Sequence, residues 1–155
     1  MLIFLDIDGV MVPAKAWARP ELLKDGFPSF SKRATHALQQ IINEHTTVML
    51  TTSHKSTYSI DEWLQIFKVR GIHINKLKSL DNNTNNLSRK DEVLNWFNVN
   101  TTTEDFVIID DDKSLNDLPS FLKKNLILTS ALIGLTDQHL EEFKFILDKK
   151  NVQQI

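Results

Sequence analysis

Apolar residues in this chain fall into short continuous runs, alternating with stretches of helical spacing. Leu2–Leu5 is the first run, and it stops at Asp6, as expected of a strand buried on both faces. The segment from Gly9 to Pro28 has no period and is punctuated by Pro13, Pro20, Gly26 and Pro28, so it reads as loop with room for a short helix. Ala34, Ala37, Leu38, Ile41 and Ile42 then share one helical stripe. Thr46–Leu50 is a second strand, followed by the polar residues Thr51, Thr52 and Ser53. Ser59 and Glu62 have the spacing of a capping box ahead of Trp63, Ile66 and Phe67, and Gly71 closes that helix. Ile72–Ile74, extending toward Leu77, is expected as the third strand.

Asp81–Asn86 is an asparagine-rich loop. Ser88 and Asp91 then open a helix carrying Val93, Leu94, Trp96 and Phe97. Phe106–Ile109 is the next apolar run and ends at Asp110, Asp111 and Asp112; Leu126–Leu128 is a shorter one. A last helix, from about Asp137 to Lys149, puts Leu140, Phe143 and Leu147 on one face. Strands alternating with helices predict an α/β fold, a parallel sheet with helices on both faces. With no repeat and no linker, residues 1–155 are expected to form a single domain.

Composition narrows the chemistry. There are 0 cysteines, which excludes disulfides, thiol catalysis and cysteine-held zinc. A formal net charge of -2 gives no general pull toward nucleic acid or membrane, although a local basic patch stays compatible with a nucleic-acid substrate. The apolar start lacks a basic leader and no window reaches the ~18 apolar residues of a membrane span. The expectation is a soluble, cytoplasmic protein with no membrane association and no obligate partner.

In open parallel sheets, ligands bind beyond the carboxyl ends of the strands. Three runs here end in polar clusters: Asp6-Ile7-Asp8-Gly9, Thr51-Thr52-Ser53 and Asp110-Asp111-Asp112. An acidic turn, or a Thr-Thr-Ser tail, is common by itself; all three at one sheet edge is not. Carboxylates so crowded repel unless a cation intervenes, and Mg2+ suits a few carboxylates plus water and phosphate. A calcium loop is excluded, because Val, Met, Val, Pro and Ala follow Gly9 in place of spaced oxygen ligands. Gly9 lets the chain turn at once, so that one carboxylate of the Asp6–Asp8 pair can attack while the other handles a proton. Arg89 and Lys90 sit in the first turn of their helix, where a cation opposes the helix dipole, and this hints at a use. His54 lies beside a cluster and is a candidate substrate contact. Trp63 and Trp96 are expected in the core, and Trp17 is either a substrate contact or a packing anchor.

FLDIDGV, VMLTTS, the Arg89-Lys90 pair and VIIDDD occur in the order of the four motifs of the haloacid dehalogenase (HAD) superfamily of phosphohydrolases, which the chain resembles. SRKDEVLNWF, IIDDD and Gly134-Leu135-Thr136 are similar to features of its Swiss-army-knife RNA repair-like branch. The chain departs at TTSHK, where that branch usually carries Ser-Ser-Trp-Arg.

The resemblance implies a three-layer Rossmann-like fold and a magnesium-dependent phosphatase. In it, Asp6 would form an aspartyl-phosphate. Asp8 would be the general acid and base, lending its backbone carbonyl to the metal. Thr51 or Thr52 would bond the phosphoryl group, and Arg89 or Lys90 would neutralise it. Asp110 and Asp111 would complete the magnesium site with Asp6 and Asp8, and Asp112 would stand behind them. The substrate would be a small phosphomonoester or the phosphate of a nucleic acid or protein. The chain has no room for a large cap domain, so the Met11–Phe30 loop, with Trp17 and Arg19, is the candidate lid. Two other readings follow from the same residues. One is a catalytically silent magnesium-binding module. The other is a receiver domain, disfavoured because no Asp follows the expected third strand before Asp81.

Overall fold

The computed structural model describes residues 1–14 and 19–153. Its centre is a parallel sheet of five strands in the order β3-β2-β1-β4-β5. The strands are β1 (Leu2–Leu5), β2 (Thr47–Leu50), β3 (Lys76–Ser79), β4 (Phe106–Asp110) and β5 (Leu126–Leu128). The helices are α1 (Lys32–Ile41), α2 (Ile60–Val69), α3 (Arg89–Val99), the short α4 (Ser120–Lys123) and α5 (Gln138–Gln153). A 3₁₀ turn, Lys113–Asp117, follows β4.

Alternation along β1 divides the core between the two faces. Ile3 and Leu5 pack with Leu38 of α1, Trp63 and Phe67 of α2 and Phe143 of α5. Leu2 and Phe4 point the other way, toward Val93 of α3, Leu115 and Leu122. Phe4 meets the ring of Trp96 edge-on, with centroids 5.1 Å apart. The layers are therefore helix, sheet, helix, as in Rossmann-like folds, and no cap domain is evident among the described residues.

Local chemistry sets where the helices start. Ser59 and Glu62 form the expected reciprocal capping box on α2, a device worth about 1 kcal/mol. Ser31 and Ser88 cap α1 and α3 through their hydroxyls. The third strand is displaced from its expected place. Ile72 and Ile74 are buried, yet they belong to the connection after α2, and the strand is Lys76–Ser79. It lies at the sheet edge, where only Leu77 needs burial while Lys76 and Lys78 face solvent. A continuous apolar run was therefore the wrong signal for it. Among the described residues no helix is long and apolar enough to cross a membrane.

Candidate active site

The central strands deliver their C-terminal residues to one level. Asp6 N–H donates to the Ile109 carbonyl at 3.1 Å, and Thr51 N–H to the Leu5 carbonyl at 3.0 Å. One oxygen each from Asp6, Asp110 and Asp111 falls within a 4.8 Å span, the arrangement of a metal-binding group. Asp6 and Asp110 are buried, and Asp111 is half-buried.

Tight turns make this approach possible. Gly9 has φ +80°, and a β-carbon there would stand 2.1 Å from Asp111 Oδ2, so a side chain would strain the backbone and displace that carboxylate. The late Gly134-Leu135-Thr136 segment fastens the same turn from outside. Leu135 N–H donates to the Val10 carbonyl at 2.8 Å, and a β-carbon on Gly134 would meet that oxygen at 2.5 Å. Thr129 adds a hydroxyl bond of 2.7 Å to the Gly9 carbonyl.

Arg89 enters the cluster from the first turn of α3. Its Nη1 donates to Asp110 Oδ2 at 2.6 Å and to Thr51 Oγ1 at 3.2 Å, and stands 3.5 Å from Asp6 Oδ1. Lys90, next in sequence, instead turns its backbone N–H to Ser114 Oγ at 3.2 Å. The two threonines diverge in the same way. Thr51 donates its hydroxyl to Asp110 Oδ2 at 3.2 Å, whereas Thr52 Oγ1 accepts the His54 backbone N–H at 3.2 Å. Asp112 caps the 3₁₀ turn through the Ser114 N–H, and its own N–H goes to Asp110 Oδ1 at 3.1 Å.

Electrostatics follow from this crowding. Burial, then the neighbouring Asp110, push the Asp6 carboxyl up to about 9 against the opposing pull of Arg89. Asp111 is raised too, chiefly by burial. The guanidinium of Arg89 moves the other way: burial opposes its charge, but Asp110 and Asp6 outweigh that and hold it above the ordinary arginine value. Three carboxylates thus crowd one guanidinium, and burial disfavours the charged form of Asp6 and Asp111, a cost that a divalent cation would offset. A hard, oxygen-seeking ion such as Mg2+ fits this all-carboxylate donor set.

Asp8 stands apart from the three. Its half-exposed carboxylate turns to His54, with Oδ2 2.8 Å from Nε2. A further group was not anticipated from the sequence. Lys55, buried despite its charge, donates from Nζ to Glu92 Oε2 at 2.9 Å, and Glu92 Oε1 lies 3.7 Å from Arg89 Nε. The one available signal was the three-residue spacing of Arg89 and Glu92, which places them on one helix face. The proposed lid is partly anchored: Phe27 and Phe30 are core residues, Arg19 is exposed, and Trp17 lies outside the described residues.

No curated protein and no solved structure matches the chain. A family model described as the HAD domain in Swiss Army Knife RNA repair proteins matches residues 2–140. That span includes the acidic turn after β1, the threonines after β2, the arginine opening α3 and the acids after β4. The chain belongs to this family of HAD domains.

Proposed function

We propose that the protein is a magnesium-dependent phosphohydrolase that carries the phosphoryl group on Asp6. The convergence of Asp6, Asp110 and Asp111 around Arg89 at the carboxyl edge of the sheet carries this reading. Asp6, Asp111 and the backbone carbonyl of Asp8 would hold the ion, with Asp110 beside them. Asp110 already accepts from Arg89, Thr51 and the Asp112 N–H, so most of its capacity goes to orienting those groups. When bound, the ion would neutralise the carboxylates and the incoming phosphate.

The remaining work falls to side chains. Asp6 attacks phosphorus while Arg89 screens its charge from the phosphoryl oxygens. Asp8 protonates the departing oxygen and later takes a proton from the water that hydrolyses the aspartyl-phosphate, splitting one slow displacement into two easier ones. Thr51, in contact with Arg89, would serve the phosphoryl group by turning its hydroxyl away from Asp110, while the Thr52 oxygen accepts from the following turn.

No cap domain stands over the site among the described residues, which suits a large phosphorylated substrate. The family's association with RNA repair supports the phosphorylated end of a nucleic acid, while the net charge of -2 adds nothing to that choice. The test is phosphate release from a panel of phosphomonoesters, including 5′- and 3′-phosphorylated oligonucleotides, with magnesium or with chelator. Magnesium-dependent release that vanishes in Asp6→Asn is expected. Release at the parental rate by Asp6→Asn would overturn the nucleophile, and no release from any ester would leave a magnesium-binding module.

A further inference from the structure

His54 occupies a position that the phosphohydrolase chemistry leaves unassigned. Its Nε2 is 2.8 Å from Asp8 Oδ2, across 46 residues of sequence. The His54 backbone is tied by its N–H to Thr52 Oγ1, and the imidazole itself stands edge-on to Phe27 with centroids 6.0 Å apart at 89°. Phe27 is in turn packed against Tyr58 and Trp63, at 5.7 and 5.3 Å. A buried aromatic cluster therefore supports the ring that meets the carboxylate of Asp8. Asp8 itself is exposed and, directly before the turn at Gly9, has no other side-chain bond among the described residues.

We propose that His54 is a positioning residue for Asp8, engaging Oδ2 so that Oδ1 alone faces the leaving group. This rests on the reading of Asp8 as the general acid. In the step concerned, an oxygen of Asp6 forms a bond to phosphorus as the bond from phosphorus to the leaving oxygen breaks. The electron pair of that bond goes to the leaving oxygen, and the proton on Asp8 Oδ1 follows it. A carboxyl free to rotate would present this proton in the right direction only part of the time. The penalty should depend on the leaving group: an alkoxide needs the proton as it departs, whereas a nitrophenolate leaves without it.

The experiment compares kcat/KM for an alkyl phosphate and for p-nitrophenyl phosphate in the parent, His54→Phe and His54→Gln. Phenylalanine keeps a ring against Phe27 and removes the nitrogen; glutamine restores a polar group near the place of Nε2. Because general acid catalysis contributes about 10²–10⁴-fold, loss of its alignment should cost His54→Phe about 10-fold on the alkyl ester. Turnover of the aryl ester should stay within about 2-fold, and His54→Gln should regain most of the alkyl rate. Equal losses on the two esters, no loss on either, or failure of glutamine to restore the alkyl rate would overturn the assignment. A parent that releases phosphate from neither of these esters nor from the phosphorylated oligonucleotides would remove the phosphohydrolase reading, and this inference with it, a result distinct from the other three.

Discussion

Two arginines in this molecule are nearly buried, and they are held in opposite ways. The side chain of Arg70, 2% exposed, follows α2 and uses all five of its N–H groups within the fold. Nε donates to Pro28 O, Nη1 to Asp25 Oδ2 and Ile66 O, and Nη2 to Asp25 Oδ1 and Phe27 O, all between 2.7 and 3.0 Å. The rings of Phe27 and Phe30 lie 5.5 and 5.1 Å from its guanidinium carbon. One cation meets one carboxylate in a cage of carbonyls and aromatic faces. Arg89, 11% exposed, opens α3 and instead meets Asp110, Asp6 and Glu92 through Nη1 and Nε. A fold gains nothing from gathering that many acids around one guanidinium. The surplus negative charge separates an arginine caged by the fold from one that the proposed phosphoryl site would use.

Removing each guanidinium should break the comparison cleanly. Arg89→Met is expected to lower kcat/KM for phosphate release by about 10²–10³-fold, the usual cost of one lost donor to a developing oxyanion. Arg89→Lys should recover part of it. Arg70→Met should leave turnover per folded molecule unchanged while costing about 3–5 kcal/mol of stability in urea unfolding, because Asp25 and several carbonyls lose their partner. If Arg70→Met impaired turnover as severely as Arg89→Met, the division between the two would fail.

How far the sequence reveals these arrangements depends on whether the signal is local. β1, β2 and β4 are interior strands, so their apolar runs are unbroken and their polar ends mark the site edge. The edge strand β3 buries Leu77 between exposed lysines, and no continuous run announces it. Spacing from Val93 favours Arg89 and the helix start permits Lys90, and both occupy the first turn of α3, so tertiary contact is what sets the two apart. Lys55 went unmarked, because nothing nearby in sequence shows that Glu92 will meet it inside the protein. His54 gave one clue, its place beside the threonine cluster, and that clue did not name Asp8 as its partner.

The last prediction concerns pH, and the two arginine sites should respond with opposite sign. Arg70 holds the Asp25 carboxyl below its unfolded value of 3.8. The stability this contributes is fully present above that value and is lost as the pH falls through the folded pKa. Asp25→Asn should therefore remove part of the acid limb of the unfolding curve. At the other site, burial and Asp110 raise Asp6 above the same unfolded value, to about 9. In chelator, that group favours the folded state most below pH 3.8, and its contribution declines as the pH rises toward about 9. Magnesium should flatten this decline by supplying the missing positive charge and releasing protons as it binds. Urea midpoints from pH 3 to 9 in chelator or magnesium, with parent, Asp6→Asn and Asp25→Asn, would separate the two trends. An alkaline decline that persisted unchanged in Asp6→Asn would mean that Asp6 is not its source. A decline in the parent that magnesium left untouched would mean that the acids around Arg89 take up no cation, leaving their surplus charge without the use argued for it.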